Sequence, residues 1–133
     1  MQTKDLIAAY YAAFNAGRTE EMLTYLHDEV EHHVNEGQIR RGKDLFRAFN
    51  AHMTDSYKEE LTDITIFAND AGDRAAAEFV VNGTYLKTDD GLPEARGQKY
   101  VLPAGTFFSI RDGKIARVTT YYNLADWTAQ VSA

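Results

Sequence analysis

Two adjacent histidines are among the residues of this chain best suited to proton transfer. His32 and His33 occur together in the segment EVEHHVN. Imidazole changes charge within the accessible pH range, so either ring can serve as a general base. Neighbouring residues of a strand point to opposite faces, so only one of the two rings can enter a pocket, and the strand register decides which one. The other ring is then a surface histidine.

Glu78 is a second candidate for acid–base chemistry, because it lies between Ala77 and Phe79 in the middle of an apolar run. A carboxylate in such a run must be solvated by a pocket, paired with a cation or protonated. A pocket would make Glu78 a functional residue. The alternative is a structural ion pair, for which Arg117 near the end of the chain is an available partner.

Residues 98–127 predict a β-hairpin that ends in an aromatic cluster. Asp112-Gly113 tolerates the positive φ angles of a two-residue turn, and residues rich in β-branched and aromatic side chains flank it. The second strand closes on YYN at residues 121–123 and passes into LADW, where a helix can fold back over the sheet. This arrangement predicts a pocket mouth of aromatic side chains with polar tips.

The apolar periodicity predicts the elements that position these side chains. Helices are expected between residues 3 and 15, 19 and 27, and 43 and 55, and after residue 124; strands are expected at 30–35, 61–67, 74–88 and in both arms of the hairpin. A bulge or bend is expected at Asn82-Gly83. Early helices and late antiparallel strands are typical of the α+β class. We expect a cone-shaped, curved antiparallel sheet wrapped around the N-terminal helices, with a mainly apolar cavity between them.

The composition indicates one globular domain over residues 1–133. Hydrophobic residues make up 44% of the chain and charged residues 26%. No uninterrupted apolar run approaches the length of a membrane-spanning helix, and Lys4-Asp5 interrupts any secretory signal, so a cytoplasmic protein is expected.

The charges and the residue types exclude several classes of function. A net charge of −6 argues against nucleic-acid binding, and the one basic cluster, between Arg40 and Arg47, is interpreted as a solvated helix start. The absence of cysteine removes thiolate nucleophiles and sulfur-ligated metals. The four histidines lack metal-site spacing, so neither a metal nor a cofactor is expected.

Several segments, taken in order, resemble the ketosteroid-isomerase-related branch of the nuclear transport factor 2-like superfamily, also called SnoaL-like. They are YYAAFNAG at residues 10–17, GLPEARGQKYVLPAG at 91–105 and RDGKIARVTTYYNLADWTAQV at 111–131. The resemblance covers essentially the whole chain and implies a cystatin-like fold. It is less specific for activity, because this superfamily contains isomerases, polyketide cyclases, hydrolases and non-catalytic binding domains.

The resemblance also implies roles for individual residues. The family's isomerases use a tyrosine on the first helix, a carboxylate base at the end of the first strand and a protonated aspartate on the penultimate strand. These positions fall on Tyr10, His33 and Thr106, so the tyrosine is kept, the base is changed and the acid is lost. Classical ketosteroid isomerisation is therefore not expected. The residues expected to contact a ligand are Phe14, Thr106, Phe108, Tyr122, Asn123 and Trp127.

Two functions from different classes follow. In the first, the protein is a cofactor-independent isomerase, cyclase or hydrolase that moves a proton on a hydrophobic carbonyl compound, with His33, Tyr10 and Glu78 as catalytic residues. In the second, it shelters a small apolar molecule without converting it. In either case the resemblance implies a homodimer formed through the sheet.

Overall fold

The computed structural model of the protein describes residues 1–34 and 37–133. In chain order its elements are α1 (Thr3–Asn15), α2 (Thr19–Thr24), β1 (Leu26–His33), β2 (Arg40–Arg41), α3 (Lys43–Ser56), β3 (Tyr57–Ala68), β4 (Arg74–Tyr85), β5 (Lys99–Arg111), β6 (Lys114–Tyr122) and α4 (Leu124–Ser132). The predicted order is confirmed with one addition, β2, which is too short to leave a periodic signal. Asn35, the expected end of the first strand, lies outside the described residues. Within those residues, no helix has the length and apolar character needed to cross a membrane.

The six strands form one curved sheet in the order β2-β1-β6-β5-β4-β3. Neighbouring strands are antiparallel except β1 and β6, which run parallel, so the expectation of a wholly antiparallel sheet is wrong at this pairing. A parallel pair needs a long crossover connection, and α3 with the three strands that follow it supplies one. The α+β class, with N-terminal helices and a curved sheet, is confirmed.

Two glycines explain the local geometry of the long strands. Asp112 and Gly113 have φ angles of 56° and 70°, as the predicted hairpin turn between β5 and β6 requires. The predicted interruption at Asn82-Gly83 is wrong, because β4 pairs with both neighbours through this stretch without a shift of register. Gly83 serves another purpose: a Cβ atom there would lie 2.1 Å from Cζ of Tyr100. The Tyr100 ring therefore crosses the backbone of β4 at Gly83, where only glycine leaves room for it.

Helix α1 packs its apolar side against the inner face of the sheet. Leu6, Ile7, Tyr10 and Tyr11 recur at helical spacing, and all four are buried. The helix ends at Asn15, where the chain turns away.

The inner face of the sheet is built from cross-strand rows of buried side chains. One row crosses β4, β5, β6 and β1 through Ala75, Phe108, Val118 and His32, which are direct pairing partners from strand to strand. All four are buried. Because paired residues share a face of the sheet, this row places the His32 ring on the same side as α1.

The outer face of the sheet exposes large apolar side chains. Phe67, Val101, Phe107 and Tyr121 are each about half exposed, at 54%, 57%, 48% and 54%. The rings of Phe107 and Tyr121 meet edge to face with centroids 5.8 Å apart. An exposed group of this kind is typical of an interaction surface.

Helix α4 folds back against the free part of β5. The Asn123 side chain accepts a hydrogen bond from the backbone N–H of Asp126 at 2.9 Å and so caps the helix. Trp127 is buried beneath it. The Gln130 amide pairs with the backbone of Val101: its Oε1 accepts from the N–H and its Nε2 donates to the C=O, both at 2.9 Å. Since β6 pairs with β5 only from residue 104 onward, Gln130 occupies the place of a neighbouring strand.

Candidate functional site

His32, and not His33, points into the interior. The His32 ring is 5% exposed and lies between Phe46 and Phe49 of α3, with ring centroids 4.5 and 4.7 Å away. His33 lies on the opposite face of β1, where its Nε2 is 3.2 Å from Oε1 of Glu31. The prediction that His33 enters the interior is therefore wrong by one residue of strand register.

The imidazole of His32 lacks the hydrogen bonds expected of a buried polar group. Its Nδ1 is fully buried and has no partner among the residues that the structure describes. Burial, followed by the positive charge of Arg40 and the proximity of His33, lowers the pKa of His32 to about 4. The ring is therefore neutral at neutral pH, and its basicity is close to that of an aspartate carboxylate. An unpaired buried nitrogen costs roughly 1–3 kcal/mol of stability and needs an explanation.

Arg40 borders the same ring. It is the direct pairing partner of His32 across β1 and β2, and its Cζ lies 4.5 Å from the centroid of the Phe49 ring. Phe49 therefore contacts both the guanidinium and the imidazole. The interpretation of Arg40 as part of a solvated helix start is wrong, because the residue belongs to β2 and lies beside a buried histidine.

Three of the predicted site residues lie together under α1. The Tyr10 ring is 5.1 Å from that of Tyr11 and 6.0 Å from that of Phe108, centroid to centroid. Burial, and to a lesser degree Tyr11, raises the pKa of Tyr10, so this phenol stays protonated and available as a donor. Thr106 lies on the same face of β5 as Phe108; it is buried, and its Oγ1 is 3.4 Å from Oγ1 of Thr120.

The distance between this group and His32 follows from the strand order. Phe108 on β5 and His32 on β1 are separated by one strand, which contributes Val118. Two strand spacings amount to roughly 10 Å. Phe108, which the Tyr10 ring contacts, and His32 therefore border a stretch of the inner face of roughly this length.

The structure has two open depressions away from the predicted cavity between α1 and the hairpin. One of the two lies between α2 and α3, where Thr19 and Arg47 line it. The other lies on the outer face of the sheet and is lined by Phe67, Phe107 and Glu78, among others. Under α1 the aromatic rings are in direct contact instead.

The remaining predicted residues have different surroundings. Glu78 is exposed on the outer face, opposite Thr65 and Gly105, where it lines the open depression beside Phe67 and Phe107 and not the interior. Phe14 is partly buried against the core, and Asn123 serves as the N-cap of α4.

Trp127 belongs to a second interior cluster, under α4. Its ring centroid lies 6.0, 5.0 and 5.9 Å from those of Tyr57, Tyr85 and Tyr100. Tyr122, at the end of β6, packs partly buried against the core. Trp127, which the sequence assigned to the pocket mouth, thus lies apart from the residues around His32. Tyr122, the other residue assigned there, lies on β6, the strand next to β1, four residues beyond Val118.

The polar atoms of this second cluster are well satisfied. Tyr100 donates to Oε2 of Glu59 at 2.5 Å, and Tyr57 donates to Oδ2 of Asp89 at 2.8 Å. The Tyr85 hydroxyl donates to the Pro93 carbonyl at 2.6 Å and accepts from the Asp89 N–H at 3.0 Å. Burial raises the pKa of Glu59, while the hydrogen bond from Tyr100 partly opposes this rise. This cluster was not predicted from the sequence, because its residues come from separate strands and a loop.

No group of three or more acidic or histidine side chains in the described ranges is arranged to hold a metal ion. The interior offers donors and acceptors of its own. These are a neutral imidazole, a phenol and a guanidinium.

Comparison with known proteins gives a consistent set of similarities. The family model of the SnoaL-like domain matches residues 7–118. A candidate polyketide cyclase from Silicibacter sp. TM1040 is 64% identical, with 99% of this chain and 96% of that chain covered and a TM-score of 0.96. A second one, from Pseudomonas putida KT2440, is 54% identical, with 98% of each chain covered and a TM-score of 0.97.

More distant similarity concerns the fold. An NTF2-like protein from Burkholderia pseudomallei K96243 is 15% identical, with a TM-score of 0.84 over 100% of this chain and 99% of that chain. None of the curated proteins matches the chain significantly.

Proposed function

The chain belongs to the SnoaL-like domain family, and from this membership and the buried imidazole of His32 we propose that it is a cofactor-independent cyclase that moves protons on a carbonyl compound. The two close structural relatives described as candidate polyketide cyclases support the reaction class. The observation that carries the proposal is His32 itself, a neutral base with an unpaired nitrogen inside the domain. Such a group is costly unless a ligand uses it.

The proposed reaction is an intramolecular aldol-type closure. His32 removes a proton from a carbon next to a carbonyl group, and the electrons of that C–H bond form an enolate. Tyr10 donates a hydrogen bond to the enolate oxygen. The enolate carbon then attacks a second carbonyl of the same molecule, one C–C bond forms, and the resulting alkoxide takes the proton back from the imidazolium. The substrate and product have the same atoms, so no oxidant or reductant is needed.

Access to His32 is proposed to run past Arg40 and Phe49. Both side chains are only partly buried, whereas His32 is 5% exposed, so they form the outer cover of the imidazole. Movement of these two side chains would open the inner face without disturbing the sheet. The ligand would then lie along Val118 toward Phe108 and Tyr10.

Proton transfer can be tested without knowing the natural substrate. The probe is an aryl methyl ketone, acetonaphthone, whose α-protons exchange with D₂O when a base removes them, and the measurement is the loss of the methyl signal in proton NMR. We expect the protein to accelerate exchange, and His32→Ala to lower the catalysed rate by roughly 10²- to 10⁴-fold, the usual contribution of a positioned general base. His33→Ala is the matched control, since this ring lies on the other face of β1.

The outcomes separate the two functions left open by the sequence. Loss of exchange in His33→Ala together with full activity in His32→Ala would refute the site. Binding of the ketone with no catalysed exchange would favour a non-catalytic binding domain, for which the close ring packing under α1 is the supporting observation.

A second copy of the chain is proposed to cover the outer face of the sheet. The supporting observation is the exposed apolar group of Phe67, Val101, Phe107 and Tyr121. Sedimentation should show a dimer, and Phe107→Glu should shift it toward monomer because a charge is then placed within the buried patch. A wild-type protein that stays monomeric at high micromolar concentration would contradict this assembly.

A further inference from the structure

Among the described residues, Arg40 differs from its basic neighbours in having no acidic partner. Within residues 1–34 and 37–133, its polar side-chain contact is a weak one, Nη1 to the Gln38 carbonyl at 3.4 Å, and no carboxylate lies within salt-bridge distance. The other three basic residues of the cluster each have an acidic partner. These pairs are Arg41 with Glu31 at 4.0 Å, Lys43 with Asp28 at 3.5 Å, and Arg47 with Glu20 at 2.9 Å. With respect to the described residues, most of the five N–H donors of Arg40 therefore have no acceptor.

The Arg40 guanidinium also contacts an aromatic ring. Its Cζ lies 4.5 Å from the Phe49 centroid, and Phe49 lies 4.7 Å from the His32 ring. Arg40 and His32 are paired across β2 and β1, so their side chains leave the sheet on the same face. A cation, an aromatic ring and a neutral imidazole with an unpaired nitrogen thus adjoin one another.

The charges of this group decide which ligand it favours. A carboxylate base would repel an anionic substrate, because two like charges in close contact near a protein surface repel each other strongly. His32 carries no charge at neutral pH and Arg40 carries one positive charge, so these two groups together are positive although the chain has a net charge of −6. The group attracts an anion where a carboxylate base would have repelled it.

We propose that this site takes an anionic aromatic substrate, whose anionic oxygens are bound by Arg40 while its ring stacks on Phe49 beside His32. The enolate oxygen that forms during the reaction is a different oxygen, to which Tyr10 donates. The inference rests on the proposed function, since it assigns the charge of the molecule on which His32 acts. The guanidinium fork suits a planar carboxylate or a 1,3-dicarbonyl enolate, because both offer two oxygens in one plane. Arg40 is then a specificity-determining residue.

The test compares two probes of nearly equal shape and different charge. Naphthoate and naphthamide are titrated into the full chain at pH 7, and their dissociation constants are measured by calorimetry or ligand-observed NMR. We expect naphthoate to bind at least tenfold more tightly. Arg40→Gln should remove this preference, Arg40→Lys should retain part of it as a point charge, and Arg41→Gln, which changes a neighbouring arginine that already has an acidic partner, should leave it intact.

Each alternative result overturns the inference. Equal affinities, binding of neither probe at millimolar concentration, a preference that survives in Arg40→Gln, or one lost in Arg41→Gln would each do so.

A second readout is the titration of the His32 ring by proton NMR. Arg40 is one of the groups that lower the pKa of this ring, with burial and His33 as the others, so Arg40→Gln should raise that pKa. Since binding needs no turnover, a charge preference without deuterium exchange would refute only the catalytic role. Exchange that depends on His32 without a charge preference would refute only the role of Arg40.

Discussion

The two polar regions of the interior differ in how their polar atoms are partnered. Beside β1 and β2, the buried Nδ1 of His32 has no partner in the described part of the chain, and Arg40 lacks an acidic one. Under α4, the hydroxyl groups of Tyr57, Tyr85 and Tyr100 all donate hydrogen bonds. Both regions are aromatic and both contain titratable groups. The difference therefore lies in hydrogen bonding rather than in composition.

We infer from this difference that the region around His32 is a ligand site and that the region under α4 stabilises the fold. A satisfied network fixes the positions of the strands and loops that contribute to it, and leaves nothing for a ligand to bind. An unpaired buried polar group lowers the stability of the fold. Its presence therefore indicates that it binds a ligand and not another part of the chain. The region around His32 should accordingly control activity, and the region under α4 should control stability.

The largest expected effect is the response of stability to acid. The pKa of His32 is about 4 in the folded protein, below the ordinary histidine value of 6.5, so between these values the unfolded chain binds the proton more tightly. The stability that depends on neutral His32 is complete above pH 6.5, falls as the pH drops toward 4, and by then has decreased by roughly 3 kcal/mol. His32→Leu should remove this loss, so urea unfolding at pH 7 and pH 4 should differ less than in the wild type. If His32→Leu leaves the difference between the two pH values unchanged, the imidazole is not held neutral by the fold.

Next in size is the effect of a methyl group at Gly83. A Cβ atom there would overlap the Tyr100 ring, so Gly83→Ala should displace that ring, break the hydrogen bond to Glu59 and lower the free energy of unfolding by roughly 2–3 kcal/mol. Gly105→Ala is the matched control, because its nearest neighbour, the Ala77 carbonyl oxygen, would be 3.6 Å away. Deuterium exchange should be unchanged in both variants when measured below their melting temperatures. Equal stability of the two variants would mean that the Tyr100 ring does not cross β4 tightly.

The smallest expected effect is that of Glu59, whose contribution to stability depends on pH in the opposite sense to that of His32. Burial raises the pKa of Glu59, so the folded protein binds this proton more tightly than the unfolded chain does, and the contribution of Glu59 to stability falls as the pH rises through that pKa. Glu59→Gln keeps an acceptor for Tyr100 and removes the charge. We expect this variant to be slightly more stable than the wild type at pH 7 and to lose the advantage in acid. A variant that is less stable than the wild type at pH 7 would show that the Glu59 carboxylate is favourable where it lies.

The sequence was most informative about the fold and about contacts within single elements. Helical spacing from Leu6 to Tyr11 predicts the buried side of α1, and Asp112-Gly113 predicts the hairpin turn. Both are local properties, which one segment carries by itself. The parallel pairing of β1 with β6 depends on residues distant in the sequence, and so does the formation of strand β2. No local pattern therefore predicts them.

The site was predicted one residue away from where the structure places it. Alternation puts His32 on the same side of β1 as Leu26 and Val30, and both of these apolar residues are buried. That parity was available in the sequence and favoured His32, whereas the family resemblance favoured His33. The surroundings of Glu78 also follow from alternation. Its apolar neighbours lie on the buried face of β4, and its carboxylate lies on the other face, which is exposed.

Arg40 could not have been singled out from the sequence. Four basic residues occur close together, and only the pairing of the other three with carboxylates from β1, α2 and the start of α3 distinguishes it. Those partners are brought close by tertiary structure. The sequence of a basic cluster thus does not indicate which of its members lacks an acidic partner among the described residues.

The pairing of Gln130 with Val101 bears on how the protein avoids aggregation. A strand edge with free N–H and C=O groups is a template on which another chain can add a strand. Where β6 stops short, the side-chain amide of Gln130 occupies both groups of Val101, a residue that is itself 57% exposed. One glutamine on a helix therefore blocks strand addition at this position of β5, in a protein whose sheet already presents a broad apolar face.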